Sequence, residues 1–146
     1  MSNETQERLA NKFILLDTNV LADGAKYGEY FAPFFGMLKE QNVRSITSDA
    51  ILFEFLRGST TSDHILQKSD YLNLLFGNDM AKLPIEQKTF ETARKIANIY
   101  ANKDINTTKQ ISLVDCLIAA QMQKYNESRE QLFLVTSDNK DFPLTV

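Results

Sequence analysis

The stretch Phe13-Ile14-Leu15-Leu16-Asp17-Thr18-Asn19 decides the fold class. Four apolar residues in a row, without polar alternation, suit a strand covered on both faces, and such strands belong to parallel sheets. The run stops at an acid, and Thr18 or Asn19 supplies a helix cap, so strand passes directly into helix. The same grammar returns at Val43 to Thr47, where Ser48 or Asp49 caps a helix from Ala50 to Arg57 that closes at Gly58. Leu132 to Val135, ending in Thr136-Ser137-Asp138, is a further two-sided apolar strand, and Ala81 to Ile85 is a strand candidate that Pro84 restricts.

Helical periodicity fills the intervals. Gly24 and Gly28 are expected to break the first helix before a second, in which Phe31, Phe34, Phe35 and Leu38 make one buried stripe. Ser62 to Phe76 predicts another helix, ended by the turn Gly77-Asn78-Asp79. From Glu86 to Ala101 the residues Phe90, Ala93, Ala97 and Tyr100 share a face. Asp104 to Gln110 is a polar connector, after which Ser112-Leu113-Val114-Asp115 opens a helix apolar nearly all round through Met122. Strands alternating with helices predict the α/β class, a central parallel sheet flanked by helices. Residues 1–11 read as a polar, solvated N-terminal leader, helical in part, and residues 12–146 as a single domain.

Composition narrows the chemistry. The chain has 146 residues, 43% of them hydrophobic, which suffices for one core and argues against intrinsic disorder. No apolar run reaches the roughly 18 residues of a membrane span. Met1 to Lys12 lacks the apolar centre and small-residue cleavage site of a secretory signal, so a cytoplasmic location is expected. With one Cys and one His, Cys116 and His64, a Cys/His zinc cage cannot form, and any metal must be held by oxygen. A formal net charge of −3 counts against nonspecific nucleic-acid binding, but a divalent cation among carboxylates reverses the sign locally.

Four acids stand out by position. Asp17 and Asp138 follow the carboxyl ends of strands, where α/β sheets bind ligands, while Glu54 and Asp115 interrupt otherwise apolar helices. Each has an ordinary reading: Asp17 as a turn residue or cap, Asp115 as part of a capping box, Glu54 as an outward-facing residue, Asp138 as a loop residue. Jointly they are harder to dismiss, because carboxylates in apolar segments are costly unless a cation or hydrogen bonds compensate them. Hard oxygen donors favour Mg²⁺ or Mn²⁺. The four lie too far apart in sequence for a local calcium loop and suit a site assembled from separate elements.

Four segments in order resemble the motifs of PIN domains: Leu15-Leu16-Asp17-Thr18-Asn19-Val20-Leu21, Glu54-Phe55-Leu56-Arg57-Gly58, Asp115-Cys116-Leu117-Ile118-Ala119-Ala120, and Val135-Thr136-Ser137-Asp138-Asn139-Lys140-Asp141-Phe142. The likeness spans Phe13 to Phe142 and is strongest to the small PIN ribonucleases that act as VapC-type toxins in toxin–antitoxin pairs. It implies a PIN-like three-layer sandwich and hydrolysis of RNA phosphodiester bonds. It also implies Asp17, Glu54, Asp115 and Asp138 as catalytic metal ligands for Mg²⁺ or Mn²⁺, Asn19 and Thr136 as orienting residues, RNA as substrate and an antitoxin protein as partner. Asp17 and Asp115 are expected to bind the ion directly, Glu54 to ligate it or orient water, and Asp138 to serve an outer or second site. A noncatalytic PIN-like module binding RNA or protein is the alternative. A phosphohydrolase or receiver-type domain ranks last, because Asp17-Thr18-Asn19 lacks a second acid and no Gly-rich phosphate loop is present.

The remaining features have two readings each. Phe31, Phe34, Phe35, Phe53 and Phe55 either pack the core, the ordinary fate of Phe, or form a groove for an antitoxin helix, with homodimerisation competing for that surface. Lys12, Arg44, Arg57, Lys109 and Lys140 stand near the acidic motifs and are either solvated surface or phosphate contacts. His64 is expected to start a helix, and Cys116 to act as a small hydrophobe.

Overall fold

The structure, a computed structural model, describes residues 2–77, 80–103, 112–128 and 131–137. Among the described residues four parallel strands form the sheet: β1 (Phe13–Leu16), β2 (Arg44–Ser48), β3 (Lys82–Leu83) and β4 (Leu132–Val135), in the order β3-β2-β1-β4. Seven helices accompany them among the described residues: α1 (Asn3–Leu9), α2 (Thr18–Lys26), α3 (Gly28–Glu40), α4 (Asp49–Arg57), α5 (Ser62–Phe76), α6 (Gln87–Lys103) and α7 (Leu113–Ser128). The α/β class with a central parallel sheet is therefore the observed one.

The two-sided apolar run at Phe13 becomes a central strand. Its Ile14 and Leu15 are fully buried, and it pairs in parallel with both neighbours, Phe13 opposite Arg44 and Leu16 opposite Val135. From β1 the chain steps outward to β2 and β3 and then crosses back to β4 on the other side of β1. That reversal puts a crevice at the carboxyl ends of β1 and β4, where open α/β sheets bind ligands. Both inner strands are entered through a left-handed asparagine, since Asn11 and Asn42 have φ of 59° and 52°, and the Asn42 amide donates to Asn11 Oδ1 at 3.0 Å.

Several local expectations change. The polar leader is helical in part, as α1 capped by Ser2, but it is not solvated throughout, because its Leu9 is buried in the main core. Gly24 does not break a helix; it lies buried inside α2, and only Gly28 opens a new one. A Cβ at Gly24 would collide with the Tyr71 hydroxyl of α5, so the missing side chain permits close packing and ends nothing. The α3 stripe is buried at Leu38 and half-buried at Phe31, Phe34 and Phe35, which lean on the main core. On α6 the covered face is Thr89, Ala93 and Ile96, with Ala97 and Tyr100 at its flank, whereas Phe90 is exposed. Gly77 ends α5 with φ of 71°, the left-handed conformation that glycine tolerates best; Asn78 and Asp79 lie outside the described residues, as does the connector 104–110.

A second, smaller cluster of Ala50, Ala93, Ile96, Cys116, Leu117 and Ala120 binds α4, α6 and α7 together. Cys116 is buried and unbridged, and burial, with Asp115 beside it, pushes its thiol pKa up. It behaves as a small apolar residue.

Candidate functional site

Asp17 is placed by strand geometry. Its N–H donates to Val135 O at 3.0 Å, continuing the β1–β4 ladder by one residue, and its side chain then caps α2, Oδ1 accepting from Thr18 N at 2.8 Å. The other oxygen, Oδ2, accepts from the Thr136 hydroxyl at 2.8 Å. Asn19 reaches the same group: its amide donates to Thr136 Oγ1 at 3.3 Å, while its Oδ1 accepts from Ser137 N at 3.2 Å. The end of β4 is thereby tied to the start of α2, with the Asp17 carboxylate held from two sides although the residue is only 7% exposed. A buried carboxylate with hydrogen bonds to both oxygens is oriented as well as compensated.

Glu54 sits in the middle of α4, half-buried, and its Oε2 accepts from the Thr18 hydroxyl at 2.6 Å. Ser48 caps that helix through Ala50 N, which fixes where Glu54 emerges. Asp115 lies in the first turn of α7, where its N–H donates to Ser112 Oγ at 3.0 Å. The cap read from Ser112-x-x-Asp115 is real on the serine side, and the half-buried Asp115 also borders the crevice. Asp17, Glu54 and Asp115 line one open pocket of about 300 Å³ together with Thr18, Asn19, Ala22, Arg57 and Gly58.

Three of the four acids singled out in the sequence thus meet at one crevice, from the end of β1, from α4 and from α7. Asp138 lies outside the described residues, as do Lys109 and Lys140. Among the described residues no group of three His, Cys, Asp or Glu side chains converges closely enough to hold an ion as it stands. The three described acids line an open pocket, not a closed metal cage. Their donor chemistry remains all oxygen, the type that suits a hard divalent cation.

Other candidates separate from this site. His64 is in the first turn of α5, its N–H donating to Thr61 Oγ1, and lines a different hollow with Phe55, Lys68 and Tyr71. Arg44 stacks over the Phe13 ring at 5.9 Å. Phe55 is buried in the main core, while Phe53 on the same helix is 68% exposed.

Two residues escape a reading of the sequence. Thr18 presents itself as a cap, and its hold on Glu54, 36 positions away, is visible only in three dimensions. Gln121 looks like a break in the apolar run of α7, yet it is 3% exposed and fully engaged: Oε1 accepts from Ser48 Oγ at 2.8 Å, and Nε2 donates to Leu83 O at 3.2 Å and Pro84 O at 3.0 Å. The available signal was position, a lone amide inside Ile118-Ala119-Ala120-Gln121-Met122.

A family model for the PIN domain matches residues 14–145, nearly the whole chain. The chain belongs to the PIN-domain family. That match agrees with the all-parallel sheet and with the crevice at its carboxyl edge, and it assigns the protein a nuclease-type fold. Comparison with curated proteins and with solved structures returned no match.

Proposed function

We propose that this PIN domain is a metal-dependent endoribonuclease that hydrolyses RNA phosphodiester bonds at the pocket lined by Asp17, Glu54 and Asp115. The observation that carries the reading is the convergence of three carboxylates from distant elements on one crevice at the sheet's topological reversal. A purely structural use of acids would not gather like charges there. Asp17 and Asp115, with Glu54 beside them, would hold Mg²⁺ or Mn²⁺, whose charge would acidify a water and offset the charge gathering on phosphate.

The protein's own groups have distinct tasks. Thr18 N and Thr136 Oγ1 hold both oxygens of Asp17, so the carboxylate presents a fixed face to the pocket. Asn19 keeps Thr136 in place. Glu54, steadied by Thr18 through Oε2, takes the proton from water as its oxygen forms the new bond to phosphorus. The bond from phosphorus to the leaving ribose oxygen breaks, and that oxygen is protonated by solvent. Asp138 is assigned to an outer or second ligand position.

Biologically, the reading is a cytoplasmic toxin restrained by an antitoxin protein. Exposed large side chains on α3, α4 and α5, among them Tyr30, Phe53 and Leu66, offer apolar surface for an antitoxin helix or a second copy of the chain. No described helix is long and apolar enough to cross a membrane. The open spacing of the acids favours one second reading, a PIN-like module that binds RNA or protein without cutting.

Incubating the purified chain with structured RNA, with and without Mg²⁺ or Mn²⁺, separates the two. Cleavage is expected only with metal, and Asp17→Asn or Asp115→Asn should lower it by more than about 100-fold. Binding without cleavage supports the noncatalytic module, and metal-dependent cuts that survive both substitutions overturn the site.

A further inference from the structure

We infer that Arg57 is the phosphate-binding residue of the acidic pocket, taking a phosphate of a bound single-stranded RNA through its guanidinium. The inference rests on the RNA reading above and adds the group that makes a carboxylate-lined pocket approachable by a polyanion. Arg57 is the one cation lining the pocket among the described residues, where it stands with Asp17, Glu54 and Asp115. It lies three residues after Glu54 on α4, so the two side chains leave the same face of the helix.

An acid and an arginine at that spacing ordinarily pair. Here Glu54 turns to the Thr18 hydroxyl instead, and Arg57, exposed at the rim, makes no ion pair with any described residue. Its neighbour Gly58 also lines the pocket, and a Cβ there would meet nothing within 4 Å, so the rim beside the guanidinium is open. A planar fork of donors held beside carboxylates but unpaired matches two phosphate oxygens at once, which a lysine would not. The competing explanation is favourable interaction with the carboxyl end of α4, whose last turn Arg57 occupies. That role predicts a change in stability only.

The test compares the full chain with Arg57→Gln and Arg57→Lys, measuring RNA cleavage at several KCl concentrations. Fluorescence anisotropy on a labelled single-stranded RNA follows, using the same substitutions in an Asp17→Asn chain with Mg²⁺ present. Arg57→Gln should weaken RNA binding about ten- to a hundredfold, chiefly in KM, with kcat changed less. The plot of log affinity against log salt should flatten by about 0.7, one phosphate contact on a single strand. Arg57→Lys should keep the salt slope and lose part of the affinity.

Wild-type cleavage with an unchanged slope and KM in Arg57→Gln overturns this inference alone. Binding that depends on Arg57 without cleavage by the wild type leaves it standing and removes the nuclease reading. Absence of both binding and cleavage in the wild type removes both. A lowered urea midpoint in Arg57→Gln with unaltered RNA affinity assigns Arg57 to the helix end.

Discussion

The carboxyl edge of the sheet has two halves built on opposite principles. Beyond β2 and β3, Gln121 joins Ser48, Leu83 and Pro84 in a buried, neutral network in which the amide makes three hydrogen bonds. Beyond β1 and β4, Asp17, Glu54 and Asp115 face an open pocket, and hydroxyls and a helix N–H hold the carboxylates of Asp17 and Glu54. The Gln121 network is buried and uncharged, so it holds α7 against the start of α4. The second half is charged and accessible, so it gains most from a ligand that neutralises it. The same strand ends thus serve as clamp on one side and as site on the other. The clamp also bears on the site, because α7 carries Asp115 and the cap of α4 sets the position of Glu54.

The sharpest way to break this contrast is to disturb the support of the open half without touching a charge. Thr136→Val keeps the shape of the side chain and deletes the hydroxyl that donates to Asp17 Oδ2. RNA cleavage should fall about 10- to 100-fold, the usual loss when a partner orienting a metal-binding carboxylate is removed. The urea midpoint should move little. A full loss of folding instead would mean that the two halves do the same structural work.

The closed half should answer in the opposite way. Gln121→Leu conserves bulk but strands the Leu83 and Pro84 carbonyls and the Ser48 hydroxyl. Stability should drop by about 2 kcal/mol, read as a lower urea midpoint at constant slope. Any effect on cleavage should be smaller than that of Thr136→Val. A larger catalytic than conformational loss would show that the clamp tunes the site directly.

The division between the halves also explains what the sequence could disclose. Strand β1 was legible because Phe13 to Leu16 has no polar position at all, and Asp17 because a parallel strand's carboxyl end is a place to look. Glu54 and Asp115 were legible as charges out of place in apolar helices. Gln121 carries no charge, and its three partners come from β2, β3 and the segment just after β3, so nothing local marks it as buried. Thr18 is hidden for the same reason, since a cap and a long-range donor look alike in one dimension. At Gly24 local propensity misled outright: glycine in a helix costs about 1 kcal/mol against alanine, which reads as a break until the Tyr71 hydroxyl is seen to fill the space. Phe90 misled through its apolarity, whereas the face of α6 that packs is set by Ala93 and Ile96.

Gly24 turns that lesson into a test of sign. Alanine should stabilise α2 by about 1 kcal/mol through helix propensity, yet overpacking against Tyr71 costs about 2 kcal/mol, so Gly24→Ala should destabilise by about 1 kcal/mol. Combining it with Tyr71→Phe removes the oxygen in the way and should recover the loss. Alanine that stabilises the protein on its own would show that α2 and α5 separate readily.

The smallest effect is in the pH dependence of the same contact. Burial pushes the Tyr71 phenol from 10.0 to about 12, and its hydroxyl has no hydrogen-bond partner among the described residues. The folded chain therefore favours the neutral phenol more than the unfolded chain does. Its contribution is complete below pH 10 and declines as the pH climbs towards about 12, where the folded protein also ionises. Urea midpoints measured from pH 9 to 12 should fall more steeply for wild type than for Tyr71→Phe. Parallel curves would mean that the phenol finds water in solution. In that case the Tyr71 hydroxyl is not sealed against α2, and Gly24 is left without the contact that explains it.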